Sequence, residues 1–575
     1  MTEDVKIGVY VCNCGTNIAK TVDCDAVVEA AKALPGVAAA RTYKYMCSNP
    51  GQEMIVDDIV QLGLDRVVVS ACSPRMHEPT FRKALEKAGV NPYFFEMANI
   101  REQCSWVHDD AEAATDKAKA LTRAAILRVA RHDALERRSV DMNPTTLVIG
   151  GGIAGMSAAL DIADAGAHVH LVEQSDHLGG NVARVDLTAP YLDSARDILT
   201  ERITRVVEHP RIQVHLQGEV EEVTGFVGNF IARIADRGGN GQGAPLSVDV
   251  GSVIVATGYK EFDAHRITHY GYGKLPNVVT SFELEKMLRA GRVETKEGKR
   301  PQYVALIHCV GSRSAEFNSY CSRVCCMTAL KYAHEVKAAV PGVYVSDIYV
   351  DMHAFGKGHE DFYRRSSEVK TLFLMYEKGE SPVVRKAAAG DDCEMLIEVD
   401  EKLSGETIEI PADLVVLMVG MEARPDSERV AHLVNISRDK DGWFIESHPK
   451  LDPVATTTEG IFIAGACQAP KDIPDSVAQA RAAAGRILAR IARGRLEVDA
   501  MFAEVDEDKC SGCRICNDLC PYTAIEFDEE KRKSHIISAL CKSCGACVAA
   551  CPSSAINALH FTDAQIFAEI EGVLL

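Results

Sequence analysis

Short, wholly apolar runs alternate with stretches of helical periodicity along most of the chain, and that alternation predicts α/β architecture. Lys6–Val11 and Arg66–Ala71 read as buried strands, and Asp25–Leu34, Gly51–Leu62 and Thr80–Ala88 carry helical patterning. Residues 107–138 are expected to form one long helix with Ala118, Leu121, Ala125 and Val129 on a shared face, a packed connector to the next domain. Strand-like runs then recur at Thr145–Ile149, His168–Val172, Tyr303–His308, Gly342–Val350, Thr371–Met375 and Leu414–Met418. The chain returns through Thr458–Gly465 and Lys471–Ser476 into an alanine-rich helix. A last helix, Thr562–Leu575, is read as a packing or partner-facing segment.

At 575 residues the chain is long for a single core, so several domains are expected. No apolar run is long enough to span a membrane, and MTEDVKIGVYV lacks the marks of a signal peptide, so a cytoplasmic location is expected. A net charge of −19 argues against nucleic acid and anionic lipid as partners. The 20 cysteines change the picture more. In a cytosolic chain, clustered thiols point to metal or redox work rather than disulfides. Cys24, Cys104, Cys393 and Cys467 stand apart from the groups, and Cys24 and Cys467 are expected to be structural.

The first group lies at strand ends: Cys12 and Cys14 after the first strand, Cys47 after RTYKYM, Cys72 after the second strand. Carboxyl ends of parallel strands share one crevice, which would gather these thiols, and Cys104 could be brought in by the next helix. Which four would hold an iron–sulfur cluster is left open by the spacing.

Thr145–Ile149 leads into Gly150-Gly-Gly-Ile153-Ala154-Gly155, a helix, and a second strand ending at Glu173. Gly150 permits the tight turn, Gly152 lets backbone amides approach a pyrophosphate, and Gly155 allows close helix–strand packing. Glu173 is placed to accept a ribose hydroxyl. Gln174, Gly179, Gly180 and Asn181 follow, and Ala256-Thr257-Gly258 ends another strand. These features resemble the FAD domain of two-dinucleotide-binding flavoproteins of the thioredoxin-reductase type, and the resemblance selects FAD over NAD. Gly465, Ala466 and Ile473 on the returning segment complete the expected flavin site; Ala466 stands where related flavoproteins carry an acid for the ribityl chain.

In that class a second glycine fingerprint, for NAD(P)H, follows the next strand. Here Tyr303–His308 runs instead into Cys309, then Cys321, Cys325 and Cys326. Thiolates bind iron and zinc, not pyrophosphate. The expectation is a [4Fe–4S] cluster in the seat of a nicotinamide, with zinc as the competing metal. The most specific signal is C-terminal: Cys510-x2-Cys513-x2-Cys516-x3-Cys520-Pro repeats as Cys541-x2-Cys544-x2-Cys547-x3-Cys551-Pro. The fourth cysteine of each run ligates the other cluster, so Cys510, Cys513, Cys516 and Cys551 form one set and Cys541, Cys544, Cys547 and Cys520 the second.

The organisation expected is therefore an N-terminal α/β domain (1–140) and a two-dinucleotide-binding, thioredoxin-reductase-like flavoprotein core (141–498). A degenerate nicotinamide subdomain sits at about 300–425 of that core, and a ferredoxin-like domain with two clusters spans 499–575. VCNCG, YMCSNPGQ, CSPRMHEPTFR, FEMANIREQCSWVH, GGGIAGMSAAL, CVGSR…YCSRVCCMTALK and PKDIPDSVAQ together resemble the A subunit of heterodisulfide reductase and its bacterial relatives. The resemblance implies an FAD–iron–sulfur subunit working beside B and C subunits, with the capacity to split electron pairs between a high-potential disulfide route and ferredoxin. It implies an electron-donating hydrogenase, formate dehydrogenase or flavin oxidoreductase module, and a possible homodimer within the complex. It also places Lys331 against the isoalloxazine, where it would stabilise reduced flavin. An inserted ferredoxin module found in some members is absent, since residues 182–250 hold no cysteine. The competing functions are a non-bifurcating wiring subunit of a quinone-linked complex and an NAD(P)H-dependent flavin oxidoreductase.

Overall fold

The computed structural model describes residues 5–238, 244–498 and 500–575. Its contacts separate two units: residues up to 139 together with 497–575, and residues 140–496.

In the first unit, strands Val37–Tyr43, Ile7–Cys12, Arg66–Ala71 and Phe95–Asn99 form a parallel sheet in that order. Asp23 caps the helix Cys24–Lys32 by accepting from the Ala26 amide (3.0 Å). Helix Asn49–Leu62 stops at Gly63, whose φ of 65° suits glycine. The expected long helix is shorter than its polar pattern suggested, running Ala111–Val129. Beyond it the carbonyls of Arg131, His132, Asp133 and Leu135 accept from Gln565, Arg66, His560 and Asn91. Tertiary donors thus replace the next helical turns. The C-terminal segment packs on that same helix: a Cβ at Gly572 would sit 2.4 Å from Ala124 Cα, and Arg128 pairs with Glu569 (3.1 Å).

His132 and His560 stack at 4.0 Å in this contact. Burial first, then the neighbouring ring, pushes His132 down to about 3. Its folded value lies below the unfolded one, so its contribution to stability is complete above about pH 6.5 and fades as pH falls. The fall should reach about 2 kcal/mol by pH 5. Anaerobic thermal unfolding at pH 7.5 and 5 checks it; an acid loss undiminished in His132→Phe would refute the assignment.

The second unit repeats one plan twice. Strands Ile212–Leu216, Val169–Glu173, Thr146–Ile149, Ser252–Val255 and Ile461–Ile463 form a parallel sheet. Helices Ile153–Asp164 and Ile473–Ile491 share a core with one face, and three antiparallel strands, Gly218–Phe226, Asn229–Asp236 and Leu246–Val250, cover the other. The second sheet, Val278–Thr280, Leu414–Val419, Tyr303–Val310, Tyr344–Tyr349 and Leu372–Met375, is also parallel. Helices Ser281–Arg289 and Cys325–Ala339 pack on one face and the strands Val383–Lys386, Met395–Glu401 and Glu406–Ala412 on the other. Buried on both faces, these strands read as unbroken apolar runs. Among the described residues, no helix is long and apolar enough to cross a membrane.

Candidate functional site

A cavity of about 920 Å³ opens in the second unit, within the range of cofactor pockets. Gly150, Gly152, Ile153 and Ala154 line it, as do Glu173 and Gln174, Gly179 to Asn181, and Ala256 to Gly258. The helix Ile153–Asp164 begins at the cavity wall, so the unpaired amides of its first turn lie at the cavity, an arrangement suited to an anion. Gly150, at φ 112°, could not carry a Cβ, which would lie 2.4 Å from the Ala256 carbonyl oxygen. A Cβ at Gly152 or Gly258 would meet no protein atom within 4 Å. Nothing in the chain fills the space over Gly152, so its backbone is left bare toward the cavity. That fits a pyrophosphate held against the turn. Gly155 does not line the cavity; its Cβ would lie 1.9 Å from the Gly150 carbonyl oxygen, so it seats the helix on the strand.

Glu173 faces the cavity while tying the turn, accepting from the Gly151 amide (2.7 Å) and from Ser175. Ala466 and Ile473 also line the cavity; Gly465, at φ 79°, instead packs against Ala154. No acid replaces the one missing at Ala466 in its own loop. Asp472 does line the cavity, but its carboxylate caps the helix Ile473–Ile491 by accepting from the Asp475 amide (2.8 Å).

The second sheet and the helix after it carry the thiols, of which Cys325 reaches this cavity. The strand Tyr303–Val310 shifts register before Val310, and Cys309 adopts φ 58°. Arg313 and Arg323 are also left-handed, so the loop holds three non-glycine residues in a costly backbone region. Cys321 Sγ accepts from the Arg323 amide (3.3 Å) and lies 3.5 Å from His353 Nδ1. The helix that follows starts only at Cys325, after the left-handed Arg323. Cys325 and Cys326 therefore form its first turn, where the helix dipole favours thiolate. Burial raises the Cys309 and Cys325 thiols, and mutual repulsion among Cys309, Cys321, Cys325 and Cys326 raises them further. The four thus stand together, and Cys325 is the one on the cavity wall.

Behind them His308 and Asp347 are fully buried, Nε2 2.6 Å from Oδ1. Burial alone would push the imidazole down, but Asp347 more than offsets it and holds His308 up at about 10. Burial likewise opposes ionisation of Cys326, yet His308 leaves that thiol below the ordinary cysteine range. A cation behind a cysteine-rich loop suits an anionic cluster.

Lys331 lines the cavity but is not a free cation: it is 2% exposed and its Nζ stands 2.5 Å from Glu285 Oε1 and 3.4 Å from Glu335 Oε2. Sequence reasoning missed both acids. Glu335 follows Lys331 by four positions, which reads as a solvated surface pair, and Glu285 sits in a charged helix with nothing to mark it as buried.

In the ferredoxin-like region, Cys520, Cys541, Cys544 and Cys547 line one small pocket, the crossed set that the repeat spacing implies. Cys510 and Cys513 belong to the other run, where Cys516 Sγ lies 3.4 Å from Ser534 Oγ; Cys551 Sγ accepts from the Ala555 amide (3.3 Å). In the N-terminal sheet, Cys12 Sγ accepts from the Cys14 and Met46 amides, and Arg101 donates to Cys14 Sγ (3.3 Å). Burial raises Cys72 to about 11, with Arg101 opposing and Cys14 and Cys12 adding to it; Cys12 also feels Cys47. The structure thus groups Cys12, Cys14, Cys47 and Cys72. Cys104 is spent elsewhere, its thiol donating to the Ala114 carbonyl (3.0 Å) from an irregular turn, Arg101–Ser105, rather than from a regular helix. Among the described residues, no three His, Cys, Asp or Glu side chains close on a common point at ligating distance.

A profile of the FAD dependent oxidoreductase family matches residues 146–269, and one of the 4Fe-4S dicluster domain matches 509–555. The solved thioredoxin reductases of T. acidophilum (15% identity, TM-score 0.40) and Lactococcus lactis (18%, 0.41) match 60% and 61% of this chain and 98% and 99% of their own. Relatives extend over the whole sequence. The second of two CoB–CoM heterodisulfide reductase iron-sulfur A subunits of Methanopyrus kandleri is 42% identical over 92% of each chain. The A subunit of the H2:CoB–CoM heterodisulfide,ferredoxin reductase of Methanothermobacter thermautotrophicus is 40% identical over 100% of this chain and 98% of its own. That alignment runs to 651 positions against 575 residues, so the relative carries insertions that this chain lacks.

Fold, flavin domain and dicluster domain define an oxidoreductase, an electron-transfer subunit that uses FAD and iron–sulfur clusters. The chain belongs to the family of heterodisulfide reductase A subunits, whose members are named as parts of larger complexes.

Proposed function

We propose that this subunit holds FAD in the 920 Å³ cavity and passes its electrons through a [4Fe–4S] cluster on Cys309, Cys321, Cys325 and Cys326. The observation that carries the reading is Cys325 on the cavity wall, in the half of the fold where a nicotinamide fingerprint would stand. Bound FAD supplies exchange between electron pairs and single electrons. The chain's part is to hold the pyrophosphate on Gly150–Gly152, to place a one-electron port beside the ring, and to fix charge there through Lys331 and Glu285. Cys12, Cys14, Cys47 and Cys72 would hold an N-terminal cluster, and the two crossed sets the ferredoxin clusters. An iron and flavin count should give one FAD and about 16 iron atoms, about 12 if the N-terminal site is empty.

Within a complex of heterodisulfide-reductase-like B and C subunits, the flavin would split pairs arriving from a hydrogenase, formate dehydrogenase or flavin oxidoreductase module. One electron would go to a disulfide or other high-potential acceptor and one to ferredoxin. The family relationship and the place of Cys325 on the cavity wall support this. The module inserted in some relatives is missing here, so a route through it must come from a partner. Ferredoxin reduction by the full complex that requires the second, exergonic acceptor is the expected result. No ferredoxin reduction would leave a wiring subunit of a quinone-linked complex, and rapid flavin bleaching by NAD(P)H alone would replace the reading altogether.

A further inference from the structure

Three ionisable side chains meet at the cavity wall, Lys331 and Glu285 lining it and Glu335 behind them, exposed by 2%, 1% and 8%. They comprise one ammonium and two carboxylates, so full ionisation would leave an uncompensated negative charge out of water. Hydrogen bonding decides which acid keeps a proton. Glu285 has its oxygens satisfied, accepting from Lys331 Nζ (2.5 Å), the Tyr332 hydroxyl (2.9 Å) and the Asp186 amide (2.9 Å). Neither oxygen of Glu335 has a hydrogen-bond partner among the described residues, and its cation is more distant at 3.4 Å. The charged groups facing Glu335 are Lys331 one turn back on its own helix, Glu285 on Ser281–Arg289, and Asp186 before Leu187. Burial is the largest influence on it; Lys331 opposes, Glu285 and Asp186 reinforce, and its carboxyl is raised to about 7.

We propose that Glu335 is a redox-linked proton site of the flavin cavity, binding a proton when the cofactor gains negative charge and releasing it on reoxidation, with Lys331 coupling the two. The proposal rests on FAD occupying the cavity. Two-electron reduction takes two electrons from an iron–sulfur donor and one proton at the ring, leaving one net negative charge there. That charge competes for Lys331 and raises the proton affinity of Glu335, which takes a second proton from water. Two one-electron acceptors and release of both protons restore the starting state.

Anaerobic spectroelectrochemical titration of the flavin in the holoprotein, from about pH 6 to 9, tests this. One proton per two electrons gives about 30 mV per pH unit, since a tenfold change is 29.6 mV for a two-electron couple. The native protein should follow that slope below pH 7 and steepen towards about 59 mV per unit above it. Glu335→Gln should keep about 30 mV throughout. One unbroken slope in the native protein, or a steep limb retained in the variant, overturns the proposal. Should the variant lose its flavin, infrared difference spectra of the native protein at pH 8 decide: reduction must generate a protonated-carboxyl band, and its absence overturns the assignment. Native protein purified without flavin absorbance would instead refute the occupancy of the cavity.

Discussion

A Gly155→Ala variant is expected to lose its flavin and about 3 kcal/mol or more of stability, because the added methyl would lie 1.9 Å from the Gly150 carbonyl oxygen. Neither atom belongs to a flexible side chain. The helix Ile153–Asp164 must move off the strand Thr146–Ile149, and the amides at its start move with it, away from where a pyrophosphate would sit. Gly485→Ala is the matched control. It lies exposed in the helix Ile473–Ile491 with nothing within 4 Å of a Cβ, so alanine there should be neutral or stabilising by up to about 1 kcal/mol. Flavin absorbance after gel filtration and the thermal midpoint separate the two variants. Retention of FAD by Gly155→Ala would mean that the turn is not what holds the cofactor.

The glycines also indicate what the sequence makes legible. The roles of Gly150, Gly152 and Gly155 follow from spacing because one turn geometry dictates all three; Gly150 and Gly155 each prove to be glycine for a steric reason of their own, while Gly152 is open toward the cavity. One crossed ferredoxin set, Cys520 with Cys541, Cys544 and Cys547, is legible for the same reason, as a local repeat. The strands were readable because parallel sheets covered on both faces leave uninterrupted apolar runs. Burial of charge was not readable. Lys331, Glu285 and Glu335 converge from two helices, and His308 with Asp347 from two strands, so no local pattern distinguishes them from surface residues. Helix limits failed where tertiary partners took over the backbone, as at Val129, where donors from distant segments claim the carbonyls that another turn would have used. Among the strand-end thiols, topology gathers four, but the fifth depended on an irregular turn that sequence periodicity cannot describe.

Removal of Cys325 should produce the largest functional loss of any single thiol in the flavin unit. Cys325→Ala deletes the sulfur nearest the cavity while changing side-chain volume little, and the three remaining thiols cannot complete a four-cysteine set. The expected outcome is about four iron atoms fewer per chain, with FAD still bound, since the pyrophosphate turn lies in the other sheet. The flavin should then remain reducible by small chemical donors but no longer pass electrons to the ferredoxin clusters, which stay oxidised in the electron paramagnetic resonance spectrum. Cys467→Ala separates this from a packing defect. Cys467 is equally buried and donates to the Val255 and Ala464 carbonyls (3.2 Å each), so its loss should cost about 1 kcal/mol of stability and no iron. An unchanged iron count in Cys325→Ala would remove the cluster from the cavity wall, and the electron port with it.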